Sequence, residues 1–338
     1  VKRFLLSFIC LNLANFAFAD PNRDAAALTS SLSSLNFDLN SPRHTGNLRG
    51  WDYLAGLLVK EGVPPRQVVE VLSDSRMPER ELLHFSLDPK ESHHSYRKHN
   101  TKANRANALK FYLEHEQAFK EAKKRFGVPE SVILSIVQVE TFCGKNTGRS
   151  SIFPSLARLA NARDPENLSA NRARFDKSKE KKVEARAKYL EDTFLSHAAK
   201  TFKVAEIYGV SVHDLRGSFA GAMGIPQFLP GSFIDYGVDG SGDGKVDLFH
   251  PKDAILSTAN YLKQKGWSEP VLPVKKQRAV VWEYNRSTPY IDTVLAMSKE
   301  LSGVIQRGVR EDDLKVSNDK RKTKRAAKAV YKRASRTS

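Results

Sequence analysis

Glu140 stands in "PESVILSIVQVETFCG" (129–144), a stretch that is otherwise almost wholly apolar. Positions 132, 133, 134, 136, 137 and 139 are all Val, Ile or Leu. A helix with apolar residues on most of its faces is a buried helix. A carboxyl group carried into such surroundings loses hydration, so its pKa rises and it keeps its proton near neutral pH. A protonated carboxyl is the general acid that cleavage of a glycosidic bond requires. The residue types leave a plainer alternative open: Glu140 lies close to the "CGKNTG" that ends the helix, and a side chain there can turn into water.

Three other stretches carry chemistry-bearing residues. In "GSFAGAMGIPQFLPGSF" (217–233), Ser218, Gln227 and Ser232 are polar groups among small and apolar residues. Small residues beside an aromatic and an amide make either a groove for a sugar chain or a close helix–helix contact. In "DGSGDGKVDLFHPKD" (239–253), Asp239, Ser241 and Asp243 alternate and Gly244 follows. That spacing matches positions 1, 3, 5 and 6 of a calcium loop, with the Lys245 carbonyl at position 7. Position 12 falls on His250, a poor ligand for a hard cation, so Asp253 is expected to close a longer loop, with Asp247 as an additional ligand. The expected ion is a structural Ca2+, or Na+, and the alternative is a plain Asp/Gly turn. In "WEYNRSTPY" (282–290), Tyr284, Asn285 and Tyr290 mix aromatic faces with an amide, as carbohydrate sites and ordinary aromatic cores both do.

The elements that must position these residues read as mainly helical. Trp51, Leu54, Leu57 and Leu58 have helical spacing, stopped by Gly62 and Pro64. A second short helix is expected over 65–75 and one long amphipathic helix over 107–129, ended by Gly127. Pro129 then opens the helix of Glu140. Residues 162–185 are highly charged and read as a loop or exposed helix; 184–209, 253–267 and 290–303 read as helices. Val280, Val281 and Trp282 give 273–285 β character. The expected fold is mainly α with a small β element, without the alternation of a parallel sheet.

The 338 residues are 40% apolar and 28% charged, a composition of soluble globular proteins and not of membrane transporters. "VKRFLLSFICLNLANFAFAD" joins a basic start to an apolar run and a small-x-small site, which reads as a signal peptide over 1–19. Its removal leaves Cys143 as the only cysteine, so no intrachain disulfide is expected. Residues 20–49 read as a weakly structured lead-in. Net charge is +17, and residues 315–338 alone hold ten Lys/Arg against one Asp. The segment 313–338 therefore reads as a basic disordered tail. With an export signal, the tail's expected contact is an anionic wall polymer or lipid, not nucleic acid.

Taken together, "GVPESVILSIVQVETFCG", "GSFAGAMGIPQFLPGSF", "VDGSGDGKVDLFHPKDAILSTANYLKQKGW" and "YNRSTPY" resemble the lytic murein transglycosylase B family, glycoside hydrolase family 103. The resemblance runs from residue 50 to about 305. It implies a lysozyme-like fold with an EF-hand-like loop, and a catalytic domain over 50–312. It implies a lyase that cuts the MurNAc-β-1,4-GlcNAc bond of peptidoglycan and leaves 1,6-anhydroMurNAc ends, with no cofactor for the chemistry. Glu140 matches the family's acid/base. Ser218, Gln227, Tyr261, Tyr284, Asn285, Tyr290 and Tyr96 match substrate-binding residues, and Arg186 matches an arginine for the stem peptide. The cation loop matches at Asp239, Ser241, Asp243, Lys245 and Asp253. A periplasmic monomer acting on glycan strands is expected. Phe142 and Cys143 depart from the Arg-Trp that follows the acid in many members. A hydrolytic lysozyme and a non-catalytic wall-binding protein are the competing functions.

Overall fold

Apolar residues at helical spacing become helices along most of the chain. The computed structural model describes residues 47–89, 91–269 and 271–315. The expected signal peptide, the lead-in up to residue 46 and the tail beyond residue 315 lie outside the described residues. The helices are α1 (Asp52–Lys60), α2 (Pro65–Ser73), α3 (His93–Arg97), α4 (Lys102–Glu114), α5 (Glu116–Phe126), α6 (Glu130–Thr141), α7 (Ile152–Ala160), α8 (Pro165–Arg172), α9 (Glu180–Tyr208), α10 (Pro230–Tyr236), α11 (Pro251–Gln264), α12 (Val274–Tyr284), α13 (Thr288–Gln306) and α14 (Glu311–Leu314). Two short antiparallel strands, β1 (Ser150–Ser151) and β2 (Arg216–Gly217), pair Ser150 with Gly217 and Ser151 with Arg216. No described helix is long and apolar enough to cross a membrane.

The centre of the fold is α6. Pro129 precedes it, and every residue from Ser131 to Val139 is buried. It is enclosed by α13, α4, α5 and α11. Each fully buried aliphatic side chain contributes about 1.5–3 kcal/mol, which outweighs the modest helix propensity of Val and Ile. The two buried serines of α6 are satisfied: Ser135 Oγ donates to the Ser131 carbonyl at 2.7 Å, and Ser131 Oγ meets Ser298 Oγ of α13 at 3.0 Å. On the other side of the molecule, α9 packs along α7 and α10 and stops at Gly209, which takes the left-handed conformation.

The structure departs from expectation in three places. Residues 273–285 are not β but the helix α12. Val280, Val281 and Tyr284 are buried on one helical face while Trp282 faces solvent, so packing overrides β propensity. The β element lies elsewhere, where the chain after α6 meets the segment leading to Ser218. A Cβ on Gly148 would sit 2.1 Å from the Gly217 carbonyl oxygen, and one on Gly217 would sit 2.1 Å from that of Ala222. Only glycine permits this approach. Finally, the helix expected over 107–129 breaks at His115 (φ −126°, ψ 25°). The break lets α5 face α11 while α4 faces α13 and α14.

Candidate active site

Glu140 occupies the last turn of α6, where the helix leaves its buried path and the carboxyl keeps partial exposure. Burial pushes its pKa up to about 7, the charge of Glu91 adds to the rise, and a hydrogen bond from Tyr290 opposes it. The negative end of the helix dipole works in the same direction as burial. Tyr290 Oη donates to Glu140 Oε1 at 2.7 Å. Burial holds the Tyr290 phenol well above its ordinary pKa, so it remains a donor. With Oε1 accepting, the acidic proton belongs on Oε2.

The backbone after Glu140 is unusual. Phe142 and Cys143 have φ of 52° and 56°, and Gln227 across the site has φ of 52°. These are three of the four non-glycine residues with positive φ among the described residues, so backbone strain is concentrated here. Hydrogen bonds hold it in place. Thr141 Oγ1 donates to the Ile225 carbonyl at 2.8 Å and accepts from Gly144 N–H at 2.9 Å. Asn107 Nδ2 donates to Gln138 Oε1 at 2.8 Å and to the Phe142 carbonyl at 3.2 Å, and Cys143 Sγ–H donates to the same Gln138 oxygen at 3.1 Å. Cys143 is thus a buried free thiol serving a structural bond, and burial raises its pKa away from reactivity. The His99 ring stacks on Phe142 at 5.1 Å, so the wall residue that departs from the family pattern has a partner.

Most of the expected substrate residues converge on this point. Tyr96 sets its ring against Tyr290 at 6.0 Å in an edge contact. Tyr284 Oη donates to the Pro226 carbonyl at 2.6 Å, and its ring lies 4.9 Å from that of Tyr261. Phe228 packs on both rings, and Tyr236 packs on Tyr261. Tyr261 Oη donates to the Glu283 carbonyl. Gln227 Nε2 donates to the Thr147 carbonyl at 3.1 Å and the Gly224 carbonyl at 2.9 Å, tying the second motif to the loop after the acid. Ser218 lies on the same loop, its Oγ accepting from Ala222 N–H at 3.2 Å. Asn285 is buried, and its Oδ1 has no hydrogen-bond partner among the described residues. A buried carbonyl oxygen of this kind suits a donor on a bound ligand.

Arg186 is not brought to Glu140. It lines a separate cavity of about 500 Å3 with Trp51, Glu81, Phe85, Arg158 and Phe219, and its guanidinium lies 5.0 Å from the Tyr189 ring. Phe219, next to Ser218 in the sequence, also lines that cavity. Glu91 is the residue that sequence reasoning misses: Tyr96 Oη donates to its Oε2 at 2.8 Å, and no motif marks it.

The acidic loop is organised largely by its own backbone. Asp239 accepts from Gly242 and Gly244 N–H at 2.6 and 2.8 Å, and Asp243 accepts from Lys245 N–H at 2.9 Å. Asp253 is fully buried at the start of α11. Its Oδ1 accepts from Gly240 and Ser241 N–H and its Oδ2 from Asp247 N–H, at 2.8–3.1 Å. Asp253 therefore closes the loop by hydrogen bonds. Among the described residues no three His, Cys, Asp or Glu are grouped as metal ligands. The donors that fit a cation are hard oxygens on the exposed side: Asp239, Ser241, Asp243 and the Lys245 carbonyl.

The fold is mainly helical and lysozyme-like, with a two-stranded sheet and Glu140 half-buried in the last turn of α6. Residues 49–276 match the family model described as the transglycosylase SLT domain, and the chain belongs to that family. It is 32% identical over 236 residues to the membrane-bound lytic murein transglycosylase B of Escherichia coli (strain K12). That match covers 65% of this chain and 58% of the relative, so the chain spans less than two-thirds of the relative's length. The fold is similar to that of the soluble lytic transglycosylase SltB1 from Pseudomonas aeruginosa, with a TM-score of 0.56, 23% identity, and 75% of this chain and 99% of that one covered. It is also similar to the Escherichia coli lytic transglycosylase Slt35 solved in complex with calcium, with a TM-score of 0.55, 22% identity, and 84% and 98% covered. Tyr284, Asn285 and Tyr290 lie beyond the matched residues 49–276 yet belong to the site.

Proposed function

We propose that this chain is a peptidoglycan lytic transglycosylase that cleaves the MurNAc-β-1,4-GlcNAc bond and leaves 1,6-anhydroMurNAc ends. The observation that carries the proposal is the placement of Glu140: a carboxyl at the end of a buried helix, hydrogen-bonded by Tyr290 at 2.7 Å, with its pKa pushed up to about 7 by burial. Glu140 gives its Oε2 proton to the glycosidic oxygen as the C1–O bond breaks. The muramyl ring carries the positive charge, and its C6 hydroxyl attacks C1. Glu140, now anionic, takes the hydroxyl proton and is restored. One group thus serves as acid and then base, and the intramolecular attack has a large proximity advantage over water. Gln227, Ser218, Asn285, Tyr96, Tyr261, Tyr284 and Tyr290 are proposed to bind and orient the sugars, Tyr290 by its bond to the acid. Arg186 is proposed to contact the stem peptide from the neighbouring cavity.

The loop of Asp239, Ser241, Asp243 and Lys245, closed by Asp253, is proposed to hold a structural cation, Ca2+ or Na+. When bound, the ion supplies rigidity to the loop–α11 junction and no chemistry. The proposed setting is the bacterial periplasm after export, as a monomer, with the basic tail on an anionic polymer or lipid.

Mass spectrometry of a digested peptidoglycan tests the reading. Anhydro ends, each lighter by one water than a hydrolysed end, are expected. Reducing ends alone would make the protein a lysozyme, and binding without cleavage would make it a wall-binding protein.

A further inference from the structure

Glu91 precedes α3 by one residue, Ser92, and its two oxygens have different surroundings. Oε2 accepts from Tyr96 Oη at 2.8 Å. Oε1 is buried and has no hydrogen-bond partner among the described residues. Buried polar atoms are nearly always satisfied, so an orphan carboxylate oxygen calls for a reason. Tyr96 supplies the connection. Its ring meets the edge of Tyr290, and Tyr290 donates to Glu140 Oε1 at 2.7 Å. Glu91 and Glu140 are therefore each hydrogen-bonded by a buried tyrosine, and the two tyrosine rings touch edge to face.

We propose that Glu91 is a second functional carboxylate at this site, a positioning residue that anchors Tyr96 against Tyr290 and holds a negative charge toward Glu140 so that the acid keeps its proton. The inference rests on Glu140 being the acid of the proposed reaction. An oxygen without a donor leaves the carboxylate's charge less neutralised, and a layer of buried rings screens it weakly. The effect on Glu140 has the same sign as burial.

The other groups around this pair do not supply the same field. Tyr290 and Tyr284 stay neutral phenols, both held well above their ordinary pKa by burial. On α13, which packs against α3, Asp292 is paired with His93 and Arg278, and Glu300 with Arg105. His94, Arg97 and Lys98 are the further basic groups on α3 and at its end, and Lys90 precedes Glu91 in the sequence. His99 is held neutral, its pKa lowered to about 4 by burial.

The test is the pH dependence of kcat/KM in Glu91→Gln. Glutamine keeps the shape and an acceptor for Tyr96 Oη but removes the charge. The alkaline limb, where Glu140 loses its proton, is expected to move down by on the order of one pH unit, with activity falling up to about tenfold above the midpoint and little below it. A purely structural role would lower the whole profile without moving its midpoint, and that result would overturn the inference. Glu91→Asp retains the charge and is expected to keep the wild-type midpoint; a midpoint lowered equally in both variants would overturn it too. A carbon-13 NMR titration of the Glu140 carboxyl in folded wild-type and Glu91→Gln protein reads the same coupling without turnover. An unshifted titration rejects the coupling. A shifted one in a protein that cleaves no glycan upholds the coupling and removes the lytic activity.

Discussion

Replacing Glu140 by Gln should stabilise the fold at alkaline pH while abolishing cleavage. The carboxyl's pKa is raised from 4.5 to about 7, chiefly by burial. A raised carboxyl favours the folded state fully below its unfolded value, and that contribution fades as pH rises to the folded value. The gap of roughly 2.5 pH units corresponds to about 3 kcal/mol, reduced by whatever solvent reaches the exposed edge of the side chain. Glutamine does not titrate, fits the same space and still accepts from Tyr290. The stability difference, variant minus wild type, should therefore grow by up to about 3 kcal/mol between about pH 4.5 and about pH 8. Urea denaturation of both proteins across that range measures it. Glycan cleavage, followed in parallel, should fall by about 10²–10⁴ for loss of a general acid. A stability difference that stays constant with pH would mean that Glu140 is not desolvated, and the catalytic reading would lose its basis.

Tyr290→Phe removes the bond that draws the Glu140 pKa downward, so the alkaline limb of the pH–rate profile should move up, at a folding cost of about 1–1.5 kcal/mol. A downward shift would contradict the described geometry. Chelation should lower the melting temperature through the loop at Asp239–Asp253, while enzyme that remains folded keeps most of its turnover; an unchanged melting curve would remove the cation from the account.

The burial around Glu140 was legible in the sequence because it is written into the run of Val, Ile and Leu before it. So were the helices of 184–209, 253–267 and 290–303, whose apolar spacing is regular. Glu91 was not, because its part depends on a bond to Tyr96 and on the contact of Tyr96 with a ring far along the chain. Local spacing carries no sign of either. The two-residue strands were equally hidden, since their pairing follows from close approach at Gly148 and Gly217 and not from β propensity. The mistaken β reading of 273–285 shows the reverse case: Val280 and Val281 favour strands in isolation, but one shared buried face makes them helical. Arg186 matched a family pattern without any local cue to its surroundings, and the structure puts it in the neighbouring cavity.

The order of synthesis gives the Tyr290–Glu140 bond a further meaning. Glu140 emerges from the ribosome long before its phenolic partner, which sits on α13 near the end of the described chain. Until that late helix docks beside α6, the carboxyl has no donor and its pocket lacks one wall. A chain still being made, or one cut short after α12, therefore carries Glu140 without Tyr290 beside it.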